Sequence, residues 1–456
     1  MTFMLQPAIV STSGVSRQRS QFLCVDLDAE VSMILSRWTK LGLELQLNKK
    51  CQLREQCMQA DLKATVERKK NELSSEFQPK WWGSTVGLYV HVPFCATSCD
   101  FCAFYQVQGD RAGIRAYLDG IEEEAAQVAV EGQKLNTCFF GGGTPGLLKA
   151  SDLQILCETV RQNFRGTLGE WTVEMAPSTV KLDKLRVLKD QGVTRISMGV
   201  QSFDDALLDK LGRQHSRKQI LKAYDLIREE GFESVNLDLI FAIPGQNEAR
   251  LKEDIRQAAQ LGPDHLSTYC LTFEEDTALF VKLSEGKVAL DVELETRLYL
   301  TCWEEMERLG YEQYEVSNFA RPGKQCLHNL NTWKMDQWIG LGPSAASQFR
   351  GRRYSNVPDL DLWLEGVKAN HPNWIDQSDL DEALLLEDVL IFGLRMSDGV
   401  DLKALQERFG RELTRSQSKT IEALESDGKL RKSGDRIRLT RAGRLLSDAV
   451  GSALMV

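Results

Sequence analysis

Residues 89–105 read YVHVPFCATSCDFCAFY, and the three cysteines in this stretch decide how the rest of the chain is understood. Cys95, Cys99 and Cys102 form a C-x3-C-x2-C spacing directly after a strand-like run. Three thiolates in one short loop can converge on a single iron–sulfur cluster. Ferredoxin-type runs bring a fourth cysteine at a comparable interval, and none follows Cys102. Three ligands on a four-iron cluster leave one iron with open positions, able to chelate a small molecule. Zinc is the competing reading, but it favours a closed set of four ligands in CxxC pairs, and the chain has no second pair. Unligated reduced thiols are the other alternative.

The remaining cysteines, at 24, 51, 57, 138, 157, 270, 302 and 326, are scattered. That pattern suits a reducing compartment better than a disulfide framework, and it predicts a cytoplasmic protein. With 456 residues, 42% of them hydrophobic and 27% charged, the chain can build a large core and two to four domains. A net charge of −9 argues against a protein whose whole surface grips nucleic acid. The sequence contains no run of apolar residues long enough to predict a transmembrane segment.

From residue 86 onward the sequence alternates between strand-like and helix-like runs. The strand-like runs are 87–92, 137–140, 171–175, 195–200, 234–241 and 265–272; the helical ones are 112–130, 151–164, 181–191, 217–230 and 248–261. Short connections between them predict an α/β fold with a parallel sheet covered by helices, a partial (β/α)6 barrel. In such barrels chemistry gathers at the carboxyl ends of the strands. The cysteines follow the first strand, Gly141-Gly142-Gly143-Thr144-Pro145 ends the second, Glu174 ends the third and Gln201 the fourth, and Asp238 lies within the fifth. The boundaries expected are 81–280 for this core, 281–380 for an α+β extension, and 381–456 for a winged-helix-like C-terminal module. In the last, helices at 402–408 and 416–426 precede a basic hairpin, GKLRKSGDRIRLT, and a helix from Arg441. Residues 1–80 read as an appendage, with mixed-charge helix from Asp28 to about Glu76. Its first residues are rich in serine and free of acids, faintly like a transit peptide.

Glycines at 141–143 let backbone approach a neighbour closely. A phosphate loop would need the lysine of GxxxxGK[ST], which is missing. Glu174, Gln201, Arg213 and Asp238 are polar groups at or beyond apolar strands, and they need partners when buried. The alternative to a ligand is an internal polar network that closes the barrel top.

The stretches YVHVPFCATSCDFCAFY, FFGGGTP, ISMGVQSF, KLGRQHS, LDLIFAIPGQ and EVSNFARPGKQCLHNLNTW together resemble the oxygen-independent coproporphyrinogen oxidase group of radical S-adenosylmethionine (SAM) proteins. The resemblance runs from about Gly87 to the C-terminus. It implies a 4Fe-4S cluster on Cys95, Cys99 and Cys102. It also implies SAM contacts at Tyr89, Phe101, Gly142, Gly143, Thr144, Glu174, Gln201, Arg213 and Asp238, and an electron donor for the cluster. Two features discriminate within the group. The decarboxylating enzymes carry a further cysteine two residues after the third, where this chain has Phe104. Secondly, CLHNLNTW at 326–333 is similar to the HNxxYW motif of the group's heme chaperones, with Thr332 in place of the tyrosine.

By that resemblance His328, Asn329 and Trp333 would meet heme, with His328 as axial ligand and heme-accepting apoproteins as partners. Cys326 is an alternative axial ligand, and a histidine capping a turn beside a core tryptophan is the structural alternative. Three functions remain open at this point: a heme-binding chaperone, an enzyme acting on coproporphyrinogen or another tetrapyrrole, and a winged-helix nucleic-acid binder with a redox-sensing barrel.

Overall fold

The computed structural model describes residues 85–129 and 134–455, so the N-terminal appendage lies outside the described residues. The core alternates strand and helix: β1 (Thr85–Val92), α1 (Arg111–Val128), β2 (Lys134–Gly142), α2 (Ala150–Asn163), β3 (Glu170–Met175), α3 (Leu182–Asp190), β4 (Arg195–Gln201), α4 (Asp205–Lys210), α5 (Arg217–Glu229), β5 (Ser234–Phe241), α6 (Glu248–Leu261) and β6 (His265–Cys270). Strands β1 to β6 are neighbours in sequence order and run parallel, the arrangement of a partial (β/α)6 barrel.

Strand alternation sorts residues into two layers. Leu88, Val90 and Val92 of β1 and Cys138 and Phe140 of β2 pack in the large core shared with the helices. The opposite face of β1 and β2, with Tyr89, His91, Thr137 and Phe139, looks into the barrel. The helices follow from local signals. Helix α5 opens with a capping box from Ser216 and Gln219 and buries Ile220, Ala223, Tyr224 and Ile227, three or four residues apart on one face. Helix α6 stops at Gly262, whose φ of 74° is the left-handed conformation glycine adopts without strain.

The extension contains α7 (Ala278–Ser284), α8 (Val292–Arg308), β7 (Glu312–Gln313), β8 (Asn318–Ala320), α9 (Leu327–Trp333), β9 (Trp338–Leu341), β10 (Ala346–Phe349), β11 (Arg352–Asn356), α10 (Leu360–Lys368) and β12 (Trp374–Asp379). It lengthens the sheet at both edges, giving the order β12-β11-β10-β9-β1-β2-β3-β4-β5-β6-β8-β7. Strand β9 pairs parallel with β1, and β8 pairs antiparallel with β6. Strand β7 is only two residues long, and Tyr311 and Tyr314 on either side of it are buried.

The C-terminal module holds α11 (Glu382–Arg395), β13 (Val400–Asp401), α12 (Leu402–Phe409), α13 (Arg415–Ser426), β14 (Leu430–Ser433), β15 (Arg436–Leu439), α14 (Arg441–Arg444) and α15 (Ser447–Leu454). Its hydrophobic cluster, from Leu380 to Leu454, is separate from that of the barrel. Polar contacts join it to the rest: Arg353 to Asp388 at 2.7 Å, Arg408 to Asp336 at 3.2 Å and Arg441 to Glu304 at 2.8 Å. Among the described residues, no helix is long and apolar enough to cross a membrane.

Candidate cluster and nucleotide site

The loop after β1 closes on itself where Cys95 N donates to Val107 O at 3.0 Å and Val107 N donates to Pro93 O at 2.9 Å. The cysteines hang from this closed base. Cys102 N donates to Cys99 O at 3.2 Å, making the turn that carries the second and third thiols to the same side. All three cysteines are buried, while residues 96–98 between the first two are exposed. Burial pushes the Cys95 thiol up, and pushes Cys102 up to about 11, with neighbouring thiols adding to both shifts. The closed base and the turn at Cys102 keep the three thiols on one short loop. Among the described residues no three His, Cys, Asp or Glu side chains are drawn tightly enough to hold a single metal ion. A cluster asks for something different, since each thiolate takes a separate iron.

The second loop is seated under the first. Gly143 N donates to Val92 O at 2.9 Å and Thr144 N to Phe94 O at 2.9 Å, and Thr144 Oγ1 lies 3.5 Å from Cys95 Sγ. A Cβ on Gly143 would stand 2.6 Å from Val92 O, and one on Gly142, whose φ is 96°, would stand 2.4 Å from His91 Nδ1. The glycines therefore make room first for the protein's own cysteine loop. His91 explains the tightness. Its Nε2 is 3.0 Å from Tyr105 O, a pure acceptor, so Nε2 carries the proton and Nδ1 accepts from Tyr89 OH at 3.1 Å. Burial lowers the His91 pKa to about 4, which keeps this tautomer neutral.

Around the mouth stand the other residues expected from the sequence. Glu174 is buried at the end of β3, with Oε2 facing Gly141. Gln201 is fully buried at φ 67°, an uncommon conformation for a residue with a side chain, and neither its Oε1 nor its Nε2 has a partner. Arg213 donates from Nη1 to Cys99 Sγ at 3.2 Å and stands 6.0 Å over the Phe101 ring, while its buried Nε has no partner. Asp238 lies deeper, accepting from Ser197 Oγ at 3.1 Å and Asn236 Nδ2 at 2.8 Å. Orphaned buried donors and acceptors beside three clustered thiols suit a polar ligand bound against a cluster. A cleft of about 450 Å³ opens on the outer side of Cys95, lined by Asp110, Arg111 and Lys149 among others.

The structure does not bring His328, Asn329 and Trp333 to the mouth. They lie on α9, which closes the other end of the barrel. Glu170 accepts from the backbone N–H groups of Leu327 and His328 and from the Cys326 thiol, holding the start of that helix. His328 is 2% exposed, its Nδ1 is 2.9 Å from Thr137 Oγ1, and its ring packs 5.3 Å from that of Phe139. It also touches the Gly87 side of β1. Gly87 and Val92 are five residues apart, roughly 16 Å of strand, so floor and mouth are distinct places. Burial lowers the His328 pKa to about 3, with the Arg195 cation adding to the shift. Trp333 is covered by the C-terminal module, with Phe392 at 6.1 Å and the Arg395 guanidinium at 5.2 Å. As folded, these residues do not fit a macrocycle, because no face of His328 or Trp333 is open to one.

Reasoning from sequence missed the polar lining of the lumen between mouth and floor. His265 bonds Asn236 Oδ1 at 2.6 Å and Tyr314 OH at 2.8 Å, and Arg195 is buried nearby. The signal was present as alternate polar positions inside otherwise apolar strands: Arg195 and Ser197, Asn236 and Asp238, His265 and Ser267.

Comparison with known proteins agrees with this geometry. The Radical SAM superfamily matches residues 89–258 and the HemN C-terminal domain matches residues 380–446. The heme chaperone HemW of Bacillus subtilis is 33% identical over 372 residues, covering 80% of this chain and 98% of that protein. The heme chaperone HemW of Escherichia coli is 36% identical over 296 residues, covering 63% and 74%. The mitochondrial radical S-adenosyl methionine domain-containing protein 1 of Danio rerio is 32% identical over 325 residues, covering 69% and 73%. Among solved structures, coproporphyrinogen III oxidase (HemN) from Escherichia coli superposes with a TM-score of 0.72 at 24% identity, covering 83% of this chain and 91% of that one. The chain belongs to the HemW/HemN family of radical SAM proteins, whose fold is built to bind an iron–sulfur cluster and SAM.

Proposed function

We propose that this protein holds a 4Fe-4S cluster on Cys95, Cys99 and Cys102, binds SAM at the barrel mouth, and serves as a heme chaperone that passes heme to apoproteins. The observation that carries the reading is the set of three buried thiols, with Arg213 donating to Cys99 and the unpartnered amide of Gln201 buried beside Gly199 on the side of the Arg213 guanidinium. When bound and reduced, the cluster supplies the electron that cleaves the sulfonium of SAM.

The protein's own residues position and shield. Thr144 and Arg213 steady Cys95 and Cys99, and Phe101 with Ile240, Ile243, Leu271 and Leu279 forms an apolar wall that keeps water from Cys99 and Cys102. Arg213 Nε and the Gln201 amide are the donors left for a carboxylate and hydroxyls of the nucleotide. Glu174 supplies a carboxylate beside them for an ammonium group. The exposed residues 96–98 give an electron donor its nearest approach.

Phe104, in the place of the extra cysteine, favours the chaperone over coproporphyrinogen oxidation. Ligation of heme by His328 requires α9 to leave the floor, since the ring is enclosed. A reducing, cytoplasmic setting suits the free thiols. The test gives the anaerobically reconstituted full chain hemin in one vessel and coproporphyrinogen with SAM and reductant in another. The proposal expects a hemin complex and no conversion of coproporphyrinogen; conversion without hemin binding overturns it.

A further inference from the structure

We infer that Arg213 is a positioning residue that sets the reduction potential of the cluster through its hydrogen bond to the Cys99 sulfur. The inference rests on the cluster assignment proposed above. Nη1 lies 3.2 Å from Cys99 Sγ; Cys99 is buried among Phe101, Leu207, Leu211 and Ile240, and the guanidinium stands over the Phe101 ring. The contact is built into the backbone. Asp100, next to Cys99, donates its N–H to Leu211 O at 3.2 Å, and Arg213, two residues beyond Leu211, donates its own to Leu208 O at 3.0 Å.

The turn between them needs Gly212, whose φ is 70° and whose Cβ would stand 2.9 Å from Asp100 Oδ1. From the far side Asp100 is tied to α7, through Leu279 N at 2.8 Å and Lys282 Nζ at 2.5 Å. The segment that carries the guanidinium and the segment that carries the thiol are therefore tied to each other through the backbone. Cys95 meets a neutral hydroxyl, Thr144, so Cys99 has the charge-assisted donor.

Reduction places one more negative charge on the cluster and its sulfurs. A fixed cation donating to one of those sulfurs favours the reduced form and raises the potential. Nη2 leans toward Gly199 O at 3.4 Å, and Nε is buried without a partner. One edge of the guanidinium thus serves the thiolate while another donor stays available for the nucleotide.

The test is a redox titration of the reconstituted full chain without SAM, followed by the paramagnetic signal of the reduced cluster, for the wild type, Arg213→Gln and Arg213→Lys. The glutamine variant is expected to shift the reduction equilibrium about tenfold toward the oxidised form, about 59 mV for a one-electron couple. The lysine variant keeps the charge without the planar fork and is expected to fall between the two. Equal potentials in all three overturn the inference while leaving the cluster assignment standing. If the glutamine variant assembles no cluster, a lysine variant at the wild-type potential overturns it equally. A wild-type chain that binds no cluster overturns the assignment itself.

Discussion

Replacing Gly142 with alanine separates the two reasons a glycine stands under the cysteine loop. Its φ of 96° alone costs an alanine about 1–3 kcal/mol. The new methyl would also lie 2.4 Å from His91 Nδ1 and 2.5 Å from Cε1. His91 is 1% exposed and held by Tyr89 on one ring nitrogen and the Tyr105 carbonyl on the other. Moving the ring therefore sacrifices two buried hydrogen bonds, each worth about 1 kcal/mol net. Gly192 supplies the comparison, since its φ is 90° and nothing lies within 4 Å of the point where an alanine methyl would stand. Gly142→Ala should cost about 2 kcal/mol more than Gly192→Ala in denaturant unfolding, and it should lower iron incorporation, since His91 holds the Tyr105 carbonyl three residues beyond Cys102. Equal destabilisation by the two substitutions, with full iron content in both, would refute the claim that His91 is clamped.

Further outcomes follow from the same geometry. Alanine at Cys95, Cys99 or Cys102 should abolish the brown cluster absorbance, whereas alanine at Cys138 or Cys157, which pack in the core between sheet and helices, should leave it intact. Asp388→Asn removes the charge partner of Arg353 at a pair whose side chains are 8% and 13% exposed, and should cost about 3 kcal/mol in unfolding experiments. If hemin reaches His328 by displacement of α9, the same substitution should speed hemin association, and His328→Ala should weaken it. His328 titrates near 6.5 unfolded and about 3 folded, so its contribution is complete above pH 6.5 and is lost as pH falls toward 3. In that window His328→Gln should flatten the acid limb of the stability curve by about 1.4 kcal/mol per pH unit; an unchanged slope would mean the ring is not buried neutral.

The barrel was legible because each unit repeats one local signal, an apolar run followed by an amphipathic helix. The six strands lie where the alternation placed them, with β6 ending at Cys270 instead of residue 272. The extension was harder. Strands β9 to β12 are short, and β12 is exposed along most of its length, so no alternation marks it. Helix α11 was hidden for the opposite reason: EALLLEDVLIFGLR is apolar nearly all round, because it is wedged between the module core and the barrel floor. The cysteine trio could be read from spacing alone. The depth of His328 could not, because a motif gives the neighbours along the chain and not the end of the barrel they occupy. Glu170, which caps α9 from 157 residues upstream in sequence, carries no local mark of that duty.

Mouth and floor are physically linked through the edges of the sheet. A six-stranded parallel barrel leaves β1 and β6 unpaired on their outer sides, and open edges admit water and other chains. Here β9 covers β1 and β8 covers β6, and the chain between those two strands is the segment that forms α9. The segment that plugs the floor is therefore continuous with the two strands that seal the edges. Withdrawal of α9 would expose Glu170, buried with Cys326 and His328, and would pull on β9, whose register with β1 includes Tyr89 opposite Gly340. Tyr89 is the residue that bonds His91 beneath the cysteine loop. A disturbance at the floor has a covalent and hydrogen-bonded route to the mouth that passes through α9, β9, Tyr89 and His91. Phe139, packed against both Tyr89 and His328, gives it a second route through side chains alone.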